Sequence, residues 1–408
     1  MNFRALFLFV VLAAGFANGS GAESPLILLS LDGFRWDYGD LFPAESLTLR
    51  ALKRDGVSVR ALIPMFPSNT FPNHYSIVTG LHPAHHGIIN NDFFDPALGQ
   101  FFHYFQPTAL RDPRWWGGEP VWVTAIKQGR KAAASFWVGS EAEIAGVRPT
   151  YWKSYDYSIP FEKRLEELVG WLALPPEQRP ALIAIYLEEI NGAGHTYGPA
   201  TPQVAAAIKL SDDRIAALLA RVRAAGFEPN LMIVSDHGMT ATNVARTVIL
   251  DDLIDLKTVQ VESEGSVLAL RPLTGDAVSL VRIFEKIPHV KACLAADLPA
   301  RFQLKGNLRI SPVWVLPDEG WHIGTRANFE RLRKRYAHAG YLPGDHGYDP
   351  ALTTMRGIFI GYGPAFRHGV VLPEAENIHL YNLMCAVLKL QPAPNDGDDR
   401  LVKGALRE

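Results

Sequence analysis

Two cysteines, Cys293 and Cys385, are all the chain has in 408 residues. They allow at most one disulfide, and their separation leaves open whether they pair or remain as two buried thiols. Excess charge is also missing: 40 Lys and Arg against 42 Asp and Glu leave a formal net charge of −2. That balance argues against a protein that coats nucleic acid, which would be strongly basic. Long hydrophobic runs are scarce, and the longest candidate, Ala5 to Phe16, is too short for a comfortable transmembrane span. No internal repeat or low-complexity tract stands out. What remains is ample: a 48% hydrophobic chain of this length can bury a large core with an additional lobe.

The amino end reads as a secretory signal over residues 1–22. Arg4 supplies the positive start, Ala5 to Phe16 the apolar run, and Ala17 to Ala22 a small-residue exit. The expectation is an exported protein, periplasmic or secreted, with no stable membrane span after cleavage. The rest, 23–408, is expected to form a single domain.

Three apolar runs of similar construction follow. Pro25 to Leu31 ends in Asp32-Gly33-Phe34-Arg35. Ala181 to Leu187 leads into Glu188 and then Asn191 and His195, and Asn230 to Val234 leads into Ser235-Asp236-His237-Gly238. Short apolar runs of this kind are buried parallel strands, and ligands in open α/β sheets gather beyond the carboxyl ends of such strands. Between them lie helical periodicities: Phe161, Leu165, Leu168, Val169 and Leu172, then Val204 to Val222 after Thr201-Pro202, and Leu380 to Leu388 near the end. The predicted fold is α/β, a doubly wound, mostly parallel sheet. Residues from about 250 to 340 differ in texture, with strand-like runs at Ser266 to Leu270 and Val313 to Leu316 flanking a helical stretch at Val278 to Lys286. They are expected to form an inserted smaller α+β lobe.

Ser68-Asn69-Thr70-Phe71-Pro72-Asn73-His74 is the stretch that draws most attention. Proline suits the first turn of a helix, and a threonine before it reads as an N-cap. The same hydroxyl would sit beside unpaired N–H groups at a helix start, a place suited to phosphate. With Asp32, Asn191, His195, Asp236, His237 and His346 on the predicted rim, the donor set is one that holds zinc. Two such ions can grip the attacking and leaving oxygens of an in-line phosphoryl displacement.

These motifs resemble the nucleotide pyrophosphatase/phosphodiesterase family of the alkaline phosphatase superfamily. The match runs through Leu31 to Arg35, Thr70 to His74, His86 to Asn91, Gly194-His195-x-x-Gly198-Pro199, Ser235 to Met239, His346 to Asp349, Leu380 to Cys385 and Pro392 to Gly397. It covers nearly the whole mature chain and resembles a compact bacterial form without the flanking domains of animal members. The resemblance implies two Zn²⁺ per chain. Asp32, Asp236 and His237 would bind one, with the Thr70 hydroxyl facing it, while His195, His346 and position 191 would bind the other. It further implies Thr70 as a nucleophile that forms a nucleotidyl-threonine intermediate and Asn91 as a donor to a phosphate oxygen. Phe71 and Tyr151 would be rings that sandwich a nucleobase, and the tryptophans of Trp115 to Trp122 are assigned to packing.

One position departs from the pattern. The family motif Glu-Glu-Pro-Asp-x-x-Gly-His reads here with Ile190 for the proline and Asn191 for the metal-binding aspartate. An amide oxygen carries no charge, so weaker occupancy of that site and lower turnover are expected. The implied activity is hydrolysis of nucleotides or dinucleotides to nucleoside 5′-monophosphates, with no protein partner. A phosphomonoesterase or a choline-lipid phosphodiesterase on the same scaffold is one alternative, and a metal-impaired nucleotide binder is the other. The Cys-x-Pro-x-Arg nucleophile motif of sulfatases is absent.

Overall fold

Apolar strands that alternate with amphipathic helices bury both faces by lying side by side between two helical layers. The computed structural model, which describes residues 24–407, builds one eight-stranded sheet in this way. The proposed signal segment 1–22 lies outside the described residues.

In chain order the strands used here are β1 (Leu26–Leu31), β2 (Val57–Val59), β3 (Lys131–Ser135), β4 (Tyr151–Lys153), β5 (Pro180–Leu187) and β6 (Asn230–Val234). After them come β7 (Val259–Ser263), β8 (Leu268–Pro272), β9 (Val290–Leu294), β10 (Val313–Pro317), β11 (Phe359–Tyr362) and β12 (Val370–Leu372). The large sheet has the order β12-β2-β11-β6-β1-β5-β3-β4. Every neighbouring pair in it is parallel except those made by β11. The three runs singled out by their polar tails, β1, β5 and β6, are its adjacent central strands.

The helices are α1 (Thr70–Thr79), α2 (Phe161–Leu172), α3 (Glu189–Tyr197), α4 (Pro202–Ala224), α5 (Ala277–Phe284), α6 (Arg326–Arg335) and α7 (Leu380–Val387). Strand residues alternate between the two faces of the sheet. On β1, Leu26 and Leu28 join the core shared with α1 and α7, whereas Ile27, Leu29 and Leu31 join the one shared with α2 and α4. Thr201 caps α4 by accepting from the Val204 N–H, as its Thr-Pro start predicts. Thr70 does not take the capping place. Helix α1 begins at Thr70 itself, and Asn69 occupies the extended residue before it.

Between residues 259 and 317, β7-β8-β10-β9 form a separate antiparallel sheet. One face covers α5 through Leu268, Leu270, Phe284, Val313 and Val315. The other sends Trp314 against Phe66 of the main body, ring centroids 5.7 Å apart, and Phe302 stacks on the same ring at 3.9 Å. Cys293 and Cys385 are both free thiols, the first on β9 and the second buried in α7. No helix among the described residues is long and apolar enough to cross a membrane.

Candidate active site

The carboxyl ends of β1 and β5 open onto a cavity of about 330 Å³. Its polar floor is made by residues one to eight positions past those strands, together with the start of α1. Asp32 follows β1 directly, and Gly33 then turns with a φ of +70°. A Cβ at Gly33 would come within 3.1 Å of Asn191, so the glycine lets the β1 and β5 turns close on each other.

Around the start of α1, Thr70 Oγ1 lies 3.2 Å from His237 Nε2. That nitrogen is 3.0 Å from Asp236 Oδ2 and 3.5 Å from Asp32 Oδ1. Asp32, Asp236 and His237 are all buried. The second oxygens are held: Gly33 N–H donates to Asp236 Oδ1 and the Tyr186 hydroxyl to Asp32 Oδ2. Asp32 Oδ1 and Asp236 Oδ2 are buried without a hydrogen bond. His74, one turn along α1, has Nδ1 3.2 Å from Asp236 Oδ2 and Nε2 2.7 Å from Ser30 Oγ.

A second group adjoins the first through ring stacking, with His346 on His237 at 3.6 Å between centroids. His195 lies 5.0 Å from His346 by the same measure. In each of the three histidines Nδ1 faces a backbone carbonyl: Gly344 for His195, Gly238 for His237 and Ser68 for His346. A carbonyl only accepts, so the neutral ring carries its proton on Nδ1 and leaves the Nε2 lone pair free. Asn191 lines the cavity with its Oδ1 buried and unpartnered. Asp345, unremarked in the sequence although it precedes His346, joins His195 and His346 as a cluster with metal-ligand spacing, as Asp32, Asp236 and His237 do. One Asp345 oxygen accepts the His346 N–H, and the other is 3.0 Å from His322 Nε2.

Burial and charge set how these groups lean on one another. Burial, then Asp236, pushes the Asp32 carboxyl up to about 7. Burial disfavours the His237 imidazolium, but Asp236 and Asp32 outweigh it and carry the ring to about 9. His346 moves the other way, well below the ordinary imidazole value, through burial and its histidine neighbours. Two carboxylate oxygens and an amide oxygen without hydrogen bonds, converging with the Nε2 atoms of three histidines, are the surroundings a divalent cation satisfies.

The rest of the cavity is aromatic. Phe71 lines it, edge-on to Tyr104 at 5.6 Å, and its N–H donates to Asn91 Oδ1 at 2.9 Å. That bond orients the Asn91 amide with its NH₂ left to donate. Tyr151 does not reach the cavity. It lies at the start of β4, where its ring stacks on Trp171 of α2 at 5.9 Å and its hydroxyl donates to the Gln178 carbonyl. Tyr155, two residues past the end of β4, lines the cavity instead, with Phe136, Trp137 and Tyr336. The reason is positional: only residues at the carboxyl end of a strand reach that rim. Trp115, Trp116 and Trp122 are buried in the core, in keeping with a packing role.

Residues 26–349 match the family model described as type I phosphodiesterase / nucleotide pyrophosphatase. The chain belongs to that family. It is 37% identical over 387 residues to a venom phosphodiesterase of Macrovipera lebetinus, which covers 92% of this chain and 44% of that protein. To human ectonucleotide pyrophosphatase/phosphodiesterase family member 1 it is 37% identical over 397 residues, covering 93% and 41%. The chain thus spans less than half the length of these relatives. Among solved structures, murine ectonucleotide pyrophosphatase/phosphodiesterase 5 superimposes with a TM-score of 0.87 at 30% identity, covering 94% of this chain and all of the other. An inactive variant of that murine protein has been solved in complex with AMP, and it superimposes with a TM-score of 0.86.

Proposed function

We propose that this member of the phosphodiesterase/nucleotide pyrophosphatase family hydrolyses phosphodiester and phosphoanhydride bonds in nucleotides and releases nucleoside 5′-monophosphates. The observation that carries this reading is the Thr70 hydroxyl, set 3.2 Å from His237 Nε2 at the meeting point of two groups of metal-type side chains. The AMP complex of the murine relative, whose inactive form replaces a threonine by alanine, supports it.

In this reading Asp32, Asp236 and His237 would hold one Zn²⁺, and Asn191, His195 and His346 would hold the other. When bound, the cations lower the pKa of a neighbouring hydroxyl and offset charge on the phosphate. Thr70 Oγ1 forms a bond to phosphorus as the bond to the leaving oxygen breaks, which gives a nucleotidyl-threonine. Water then cleaves that ester and restores the hydroxyl. Asn91, its oxygen tied to Phe71 N–H, donates from its NH₂ to a phosphate oxygen. Phe71 and Tyr155 supply flat walls for the base. Residues 1–22 direct export to the periplasm or medium, and 23–408 act as one catalytic unit with the 250–340 lobe inserted.

Asn191 favours a second reading, a binder that captures nucleotides with little turnover, because the His195/His346 group lacks an anionic ligand at that position. One comparison separates the readings: hydrolysis of a nitrophenyl nucleotide diester against nitrophenyl phosphate, with added zinc. The diester is expected to be strongly preferred, and Thr70→Ala is expected to reduce its turnover by about a thousandfold or more while AMP still binds. Preference for the monoester, or a fully active Thr70→Ala enzyme, would overturn the proposal. Tight AMP binding without turnover in the unmodified chain would leave the binder.

A further inference from the structure

We propose that Glu188 is the carboxylate that grips the sugar, accepting hydrogen bonds from the ribose hydroxyls of the bound nucleotide. The proposal rests on the nucleotide reading above.

Glu188 stands where the polar and aromatic halves of the cavity meet. Asp32 N–H donates to the Leu187 carbonyl, so the end of β5 abuts the Asp32 group, and Glu188 is the next residue. It precedes α3, which carries Asn191 and His195. Toward the aromatic half, its charge acts on the Tyr155 hydroxyl, helping to raise that group's pKa. The cavity therefore lines one space with metal-type donors, Glu188 and flat rings. A nucleotide presents a phosphate, a sugar and a base, one chemistry for each.

One oxygen of the carboxylate is also unsatisfied. Glu188 lines the cavity and its Oε2 is buried without a hydrogen-bond partner. No Lys, Arg or His among the described residues makes an ion pair with it. The cation that most influences it, Arg164, donates instead to the Ser135 hydroxyl and to the Ser135 and Tyr186 carbonyls. Glu141, the other glutamate lining the cavity, is already occupied by Arg111 and by the Tyr155 N–H. A buried carboxylate oxygen left alone is costly, and a ligand that brings donors removes that cost. Phosphate brings none and is repelled, whereas a vicinal diol brings two. A carboxylate at the carboxyl end of a parallel strand that accepts from ribose hydroxyls is the device used in dinucleotide-binding folds.

The test is direct binding, by calorimetry, of AMP and its 2′,3′-dideoxy analogue to the zinc-loaded chain and to Glu188→Gln and Glu188→Ala. The unmodified protein is expected to bind AMP about tenfold more tightly than the dideoxy analogue. Both variants should bring the two ligands within about twofold of each other, with dideoxy affinity held or improved. Equal binding of the two ligands by the unmodified protein overturns the proposal whatever the variants do. So does a variant that keeps the tenfold ratio. If the unmodified protein binds neither ligand, the nucleotide reading itself fails, a result distinct from binding without discrimination.

Discussion

The two groups of metal-type side chains on the sheet rim differ in charge and in depth. The Asp32, Asp236 and His237 group is buried and has two carboxylates directed at one imidazole nitrogen, with His74 behind them. The His195, Asn191 and His346 group faces the cavity with a neutral amide where the family pattern has a carboxylate, and its nearby acid, Asp345, is engaged by His322 and by the His346 N–H. Coulomb attraction for a divalent cation scales with ligand charge, and it is least screened where water is excluded. The first group should therefore hold its cation far more firmly than the second. Equal affinities in a titration with chelator would break the comparison outright.

Replacing Asp236 by Asn should have the largest effect. It removes a buried ligand charge and should lower affinity at the tighter site by about a hundredfold or more, leaving metal analysis short by one equivalent.

A second test uses pH in the chelated protein. His237 holds its proton more tightly folded, at about 9, than unfolded, near 6.5. Its contribution to stability is thus complete below 6.5 and is lost as pH climbs toward 9. Unfolding stability in chelator should fall over that window by an amount on the order of 3 kcal/mol, read as a lower melting temperature. With cations restored the trend should reverse, because deprotonated histidine is the form that binds metal.

The smallest effect sharpens the contrast from the other side. Asn191→Asp should raise affinity at the weaker site by roughly tenfold and leave the tighter one unchanged. If both sites respond alike, the groups are not independent.

Much of this was legible in the chain, for reasons tied to particular residues. The runs ending at Leu31, Leu187 and Val234 are apolar on both faces, so they had to be central strands, and their polar tails had to share a rim. Tyr151 shows where that logic stopped. It and Tyr155 are four residues apart and chemically alike, and the choice between them depends on where β4 ends, which local pattern leaves undecided. Asp345 and Glu188 were visible as letters only. One matters because it closes on His195 across 150 positions, the other because one of its oxygens is left without a partner.

Residue types and their periodicity are local properties, and they were sufficient to determine the layered α/β architecture, while the order and spacing of short motifs carried the resemblance to the family. Distances between side chains far apart along the chain are set by how strands register and helices pack. Only the tertiary structure could bring Thr70 within 3.2 Å of His237, stack His346 on that ring and leave the Glu188 oxygen without a partner. The physical reason is that each depends on close packing of the whole body, where a shift of one residue in register or an ångström in a helix axis undoes the contact.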